Sequence, residues 1–334
     1  MTGLIEGILK YPSLSIVGLE KNTGKTECLN YILRQVRDMN RRFAITSIGV
    51  DGESKDAVYQ NVKPEIELFE GMLFVTSEKH YREKRLTAEI LDVSEVRTSL
   101  GRLVTGQVIR SGKVLLSGPA DTYTLKTLIG NLLYFGADHV IIDGALSRLS
   151  LAAPSVTDAM ILTTGAAVSR NIPQLIRQTK YVYDLIRLET VDIDLRTRLA
   201  AIEKGIWAVG EDGVLHDLDI PSVFMLDKRE TDIFRYGRCL YVAGAVSDKL
   251  LEFLRMQLEP VELITRDFTR LFAKPESFYA FARKGNKLKV MWQTRLLAVC
   301  INPQSPDGFC LDSDVLREAL QQELDVPVFD VRKI

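Results

Sequence analysis

Residues 16–26 read Ile16-Val17-Gly18-Leu19-Glu20-Lys21-Asn22-Thr23-Gly24-Lys25-Thr26, passing from an apolar strand through a glycine-bounded polar loop into the start of a helix. Upstream, Leu14, Ile16 and Val17 form a short apolar run with the β-branched bias of a buried strand. Downstream, Leu29, Ile32, Leu33, Val36 and Met39 recur at helical spacing, with Arg34, Arg37 and Asp38 on the other faces. The unpaired backbone N–H groups of a helix start point at an anion, and the helix dipole favours negative charge there. In this pattern Asn22, Thr23, Gly24, Lys25, Thr26 and Glu27 surround a triphosphate, Lys25 reaching the outer phosphates and the Thr26 hydroxyl holding Mg²⁺.

The strict Walker A pattern places its first glycine where this chain has Leu19; Gly18 stands one place earlier, so the loop carries an extra residue between its glycines. The competing reading is an ordinary helix start whose Lys25 is solvated.

Outward from the loop, strand-like and helix-like segments alternate. Strands are expected at Phe43 to Val50, Met72 to Thr76, Ile90 to Val93, Lys113 to Ser117, His139 to Ile142 and Asp158 to Thr164, and helices at Thr124 to Phe135 and Pro173 to Leu188. That rhythm argues for an α/β fold, a P-loop NTPase type of parallel sheet with helices on both faces. The charge-rich stretch Glu189 to Arg198 interrupts it. We therefore expect a nucleotide-binding domain over residues 1–190 and a second, smaller α/β domain over 200–334 that couples to a partner or substrate. Within the latter, Gly210-Glu211-Asp212-Gly213 has the chemistry of a hairpin turn. Further strands are expected at Ser222 to Leu226, Cys239 to Ala243, Val261 to Thr265 and Leu296 to Ile301, and helices at Ser247 to Met256 and Val315 to Leu324. Lys284-Gly285-Asn286-Lys287 reads as a turn between basic strands on a solvated edge.

Turnover needs a metal and a group that orients the attacking nucleophile, both at the C-terminal ends of neighbouring parallel strands. Asp143 fits, since His139 to Ile142 lead into a carboxylate and a small glycine, as in a Walker B element; a turn or cap aspartate is the alternative. Asp51 has the same logic after the second strand. The expected catalytic set is Lys25, Asp51 and Asp143, and the expected metal ligands are Thr26, Asp51 and Asp143. Glu53 and Asp56 either extend an acidic cluster around Asp51 or are solvated loop acids. Lys21 either contacts phosphate across a homodimer interface or faces solvent, and Ser147, Arg148 and Arg170 can line the site. Gly165-Ala166-Ala167 stands where a guanine-reading Asn-Lys-x-Asp would be, so ATP with Mg²⁺ is favoured over GTP.

Composition narrows the partners. With 43 Lys plus Arg against 44 Asp plus Glu, a net charge of −1 offers no basic surplus to attract nucleic acid or an anionic membrane. Cys28, Cys239, Cys300 and Cys310 are scattered and, with His80, His139 and His216, fit no spaced zinc site; they read as buried free thiols of a reducing cytoplasm. No apolar run approaches membrane-spanning length.

Gly18-x5-Gly24-Lys25-Thr26 paired with an apolar strand ending in Asp143-Gly144-Ala145 resembles the dethiobiotin synthetase, cobyric-acid synthase and MinD-related (SIMIBI) class of P-loop NTPases, over roughly the first half of the chain. The resemblance implies phosphate and Mg²⁺ binding by Gly24, Lys25 and Thr26, with Asp143 in the place of the family glutamate. Gly18 to Leu33, Asp143 to Arg148, Thr163 to Arg170 and Ile301-Asn302-Pro303-Gln304-Ser305-Pro306 are also similar to the P-loop reactivase component associated with adenosylcobalamin-dependent lysine 5,6-aminomutase. That implies ATP hydrolysis driving cofactor exchange on a partner aminomutase. The alternatives are an ATP-dependent ligase or kinase acting on a small molecule, and a nucleotide-binding module without turnover.

Overall fold

A computed structural model describes residues 3–49, 65–145, 153–220 and 233–334. It divides into two compact units, Met1–Thr179 with Arg295–Ile334, and Lys180–Thr294. In chain order the first unit begins with α1 (Gly3–Ile8), β1 (Ser13–Gly18), α2 (Lys25–Val36), β2 (Phe43–Ser47), β3 (Ile66–Leu68), β4 (Leu73–Ser77) and α3 (Glu78–Glu83). It continues with β5 (Arg85–Thr98), β6 (Gly101–Val114), α4 (Thr122–Tyr134), β7 (His139–Ala145), β8 (Ala159–Gly165) and α5 (Ile172–Ile186), the last running across the division. The second unit holds α6 (Ile193–Leu199), β9 (Ile206–Val209), β10 (Leu215–Ile220), β11 (Cys239–Val242), β12 (Val246–Ser247), α7 (Asp248–Arg255), β13 (Glu262–Thr265), β14 (Leu271–Phe272), α8 (Pro275–Arg283) and β15 (Lys287–Val290). The chain then returns to the first unit as β16 (Arg295–Asn302), α9 (Ser313–Glu323) and β17 (Val328–Phe329).

The first unit is mixed α/β around a large, mostly parallel sheet of order β17-β16-β8-β1-β7-β2-β4-β6-β3, with β5 on the other side of β6. Every pairing from β17 to β4 is parallel, whereas β6 runs antiparallel to β3, β4 and β5. Because strand side chains alternate between faces, the sheet carries two cores. Ile16, Phe43, Ile45, Ile141 and Ile161 pack with α1 and α2 through Ile5, Leu29 and Ile32. Ala44, Val140 and Ile142, one residue out of phase, pack with α4 through Leu125, Ile129 and Leu132. Helices thus cover both faces, which is why the parallel strands read as continuous apolar runs.

In the second unit the sheet order is β10-β9-β11-β13-β15, antiparallel over the first three strands and parallel over the last three. The β9–β10 turn closes as its sequence suggests, Gly210 N–H donating to Val214 O at 2.8 Å and Gly213 adopting φ 77°. Val191, Leu199, Val209, Tyr241, Ile264 and Met291 form this unit's core.

Several expectations change. Residues 295–334 belong to the first unit and not to a C-terminal domain, because Leu296 to Asn302 pair with Met160 to Gly165 of β8. Ile90 to Val93 and Lys113 to Ser117 are not separate short strands: the first lies within β5, and of the second only Lys113 and Val114 are strand, as the end of β6, the two long strands forming one antiparallel hairpin. Lys284 to Lys287 turns from α8 into β15 and not between two strands, and Asn286 is buried there, accepting from Val261 N–H at 2.7 Å and donating to Phe281 O at 3.0 Å. The strand expected at Ser222 to Leu226 lies outside the described residues. Of the four thiols Cys28 and Cys300 are buried, while Cys239 is half-buried and Cys310 exposed. Among the described residues no helix is long and apolar enough to cross a membrane.

Candidate functional site

Strand β1 lies between two parallel neighbours, with Gly18 opposite Ala145 of β7 and Thr163 of β8. After β1 the chain goes to β2 beyond β7 on one side and later adds β8 on the other, so the strand order reverses at β1. Such a reversal leaves a crevice at the carboxyl ends of the strands, where α/β proteins take ligands. Gly18, Ser47, Ala145, Gly165 and Asn302 all end their strands at this edge.

Between Gly18 and Lys25 the loop is held from inside and below. Leu19 N–H extends the β1–β8 ladder by donating to Thr163 O at 2.9 Å. The Thr23 hydroxyl donates to Glu20 O at 2.9 Å and lies 2.9 Å from the Thr163 hydroxyl, tying the loop's far side to its near side and to β8. Asn22 and Gly24 both take left-handed backbone conformations, φ 63° and 92°. Left-handed residues at alternate positions of a loop are the backbone pattern that turns N–H groups toward a common concavity able to receive an anion. Gly24 caps α2 without a side chain, leaving first-turn N–H groups to face that concavity.

Lys25 completes it. Its ammonium folds back over the loop: a β-carbon on Gly18 would lie 3.0 Å from Lys25 Nζ and 3.0 Å from Glu20 O, so Gly18 is the residue whose missing side chain makes room. Burial lowers the Lys25 pKa, opposed by the charges of Asp143 and Glu20 and assisted by Lys21. A desolvated cation above a ring of N–H donors is a site in want of an anion. Asp143, half-buried on β7, sits opposite Ile16 of β1 and Ser47 of β2; its carbonyl accepts from the Ser47 hydroxyl at 3.1 Å and from Ile48 N–H at 3.2 Å.

Of the residues selected from sequence, the structure brings together Asn22, Thr23, Gly24, Lys25, Thr26 and Asp143. Thr26 is half-buried in the first turn of α2. Glu27, in the first turn of α2, pairs with the Arg332 guanidinium at 3.1 Å. Lys21 is exposed. Arg170 pairs with Asp307 and lies 5.4 Å from the Phe309 ring centroid, so it joins the loop after β8 to the loop after β16. Asp51, Glu53, Asp56, Ser147 and Arg148 lie outside the described residues.

Two residues absent from that selection hold the loop in place. Asn302, the last residue of β16, donates from Nδ2 to Asn22 O at 2.9 Å, and a β-carbon on Gly24 would come 2.9 Å from its Cβ. Its carbonyl accepts from Ala166 N–H at 2.9 Å and passes so close to Gly165, φ 156°, that no side chain fits there. Thr163 is the second. The available signal was a polar residue at the end of an apolar run, Asn302 before Pro303 and the Thr163-Thr164 pair before Gly165.

Among the described residues no group of three or more His, Cys, Asp or Glu could hold a metal by itself. Mg²⁺ does not ask for such a group: it keeps several waters and takes one or two protein oxygens together with phosphate. Thr26 and Asp143 suit that donor set.

The fold is that of a mixed α/β protein with a large, mostly parallel central sheet, and the loop between Gly18 and Lys25 stands at the carboxyl edge of that sheet. No family model matches the chain, and comparison with curated proteins and with solved structures finds no match.

Proposed function

We infer that this chain is a P-loop NTPase that binds Mg²⁺-ATP at the loop Gly18–Thr26 and couples its hydrolysis to a partner protein. The observation that carries the reading is the placement of Lys25: a partly desolvated ammonium over a concavity of N–H donors, at the switch point of a parallel sheet. Energetically such a cation is poorly solvated alone and well compensated by a polyphosphate. The α2 N–H groups and Lys25 bind the phosphates, Thr26 and Asp143 would hold Mg²⁺, and Mg²⁺ supplies charge neutralisation between the phosphate oxygens. The loops after β8 and β16 flank the remaining side of the crevice and leave the base there, where Gly165-Ala166-Ala167 has no guanine-reading carboxylate.

The partner class implied by the resemblance, a cobalamin-dependent aminomutase, is the first to test. ATP affinity and turnover are measured on the purified chain, alone and with that enzyme. Lys25→Ala is expected to lose ATP binding by at least a hundredfold. Asp143→Asn is expected to keep binding within about tenfold while losing most turnover, since a metal ligand matters most when charge moves. Undiminished ATP affinity in Lys25→Ala overturns the reading. Stimulation by small acids or amines in place of the protein turns it towards a ligase.

A further inference from the structure

Among the described residues, one rim of the second unit sets cations without ion-pair partners beside exposed apolar side chains. The crossovers β11-α7-β13 and β13-α8-β15 pack α7 against α8. The last turns of the two helices border a cavity of about 300 Å³ lined by Arg255, Met256, Ala280, Arg283 and Lys284. Adjoining it in sequence, a second groove of about 390 Å³ along the starts of β11, β13 and β15 is of mixed charge, lined by Arg238 and Lys287 and by the carboxylates Glu211 and Glu262, so the excess of cations belongs to the smaller cavity. Arg238 and Glu262 are already engaged, by Glu259 at 2.5 Å and by Lys289 at 2.9 Å. Among the described residues Arg255, Arg283, Lys284 and Lys287 have no ion-pair partner. No carboxylate lines the smaller cavity.

Helix C-termini favour cations, and that accounts for where Arg255, Arg283 and Lys284 stand. It does not account for the apolar side chains among them. Met256, which lines the smaller cavity, is 74 % exposed, and Leu258, two residues on in the chain and two before Pro260 of the second groove, is 95 % exposed. An apolar pair left in water beside unpaired like charges is the composition of a docking surface, with repulsion that an acidic partner would relieve.

We propose that this rim of the second unit docks a partner protein through an acidic helix whose apolar side chains seat on Met256 and Leu258. The proposal rests on the partner-coupling reading above and supplies its contact. A nucleic-acid strand fits less well, because among the described residues neither cavity is lined by an aromatic side chain on which bases could stack. Two aliphatic side chains are also a small anchor for a bilayer.

The test uses the full chain and a fluorescent helical peptide of about 18 residues, long enough for five turns, with Glu on one face and Leu at i, i+3, i+4 and i+7 on the other. An equally charged peptide with Ser for Leu, a thymidine homopolymer and phosphatidylserine vesicles are the other arms. The Leu peptide is expected to bind at least tenfold more tightly than the Ser peptide. Arg283→Glu with Lys284→Glu, and separately Met256→Ser with Leu258→Ser, are each expected to remove that advantage. Equal binding of both peptides, indifference to these surface substitutions, or preference for the homopolymer or the vesicles overturns the proposal. Lys25→Ala is expected to bind the peptide as the unaltered chain does, so loss of the nucleotide reading and loss of the docking reading show in different experiments.

Discussion

At the scale of the residue, Lys25 links solvation to ligand binding. Its pKa is lowered chiefly by burial, and a bound polyanion reverses that cause by giving the ammonium a counter-charge. Binding above the lowered pKa therefore takes up a proton, and triphosphate affinity falls as pH rises through it. Calorimetry in two buffers of different ionisation enthalpy reads the uptake directly; none on the alkaline side would contradict the geometry. Folding has the opposite sign. A lysine whose folded pKa lies below its unfolded one penalises the fold at neutral pH, and the penalty lifts as pH climbs from the lowered value towards 10.5. Lys25→Met is accordingly expected to unfold, without nucleotide, at or above the temperature of the unaltered chain, and to lose all thermal stabilisation by ATP. Gly24 makes the complementary case. Alanine there would have to hold φ 92° and press on Asn302 Cβ, costing about 1–2 kcal/mol for the left-handed backbone alone. Gly24→Ala is expected to lower both the unfolding temperature and ATP affinity. The glycines, Lys25 and Asp143 were legible in the sequence because each occupies a position defined by local spacing. Asn302 was not, since it reaches Asn22 from 280 positions further along the chain.

At the scale of the element, β16 shows why local pattern stops short of topology. Its run Leu296 to Ile301 reads as a buried strand, and it is one. Nothing in an apolar run names the sheet it joins, and here the choice is made by β8, whose outer edge it covers. The hairpin β5–β6 was obscured for another reason. Register shifts at four places break its alternation, and glycines sit inside a strand: Gly106 leaves room for the Phe74 ring, 2.9 Å from where a β-carbon would be. Elements with local markers fared better, such as α4 and α9, which start at Asp121 and Asp312 caps accepting N–H groups at 2.8 Å and 2.9 Å. Two outcomes follow for the returning segment. Asn302→Ala removes one loop hydrogen bond, worth about 1 kcal/mol net, and is expected to weaken ATP binding about fivefold in a titration while leaving circular dichroism unchanged. Leu316→Ala, in the fully buried face of α9, is expected to destabilise the first unit by about 2–5 kcal/mol in denaturant titration. Were residues 295–334 an appendage, that substitution would leave the first unit's transition where it is.

At the scale of the whole molecule, the second unit is an insertion between β8 and β16 of the first, so the chain leaves the first unit after α5 begins and comes back at Arg295. The charge-rich stretch after Leu188 comes later than the departure, which falls at Lys180 inside the amphipathic run of α5 where no local signal marks it, and the return at Arg295 carries none either, because Trp292-Gln293-Thr294 is neither a glycine-rich linker nor a charge run. Each unit has its own sheet and its own core, and a ligand stabilises only the cooperative unit that binds it. Scanning calorimetry of the chain is therefore expected to resolve two transitions. With Mg²⁺-ATP at about a hundred times its dissociation constant, the binding unit gains about 2.7 kcal/mol, which for a unit of roughly 200 residues raises its midpoint by about 5–10 °C. The other transition should stay in place, and Lys25→Ala should leave both unmoved. A single transition that shifts as one would mean the two cores unfold together, and the coupling of nucleotide to partner would then be carried by that shared cooperativity and not by a hinge between independent parts.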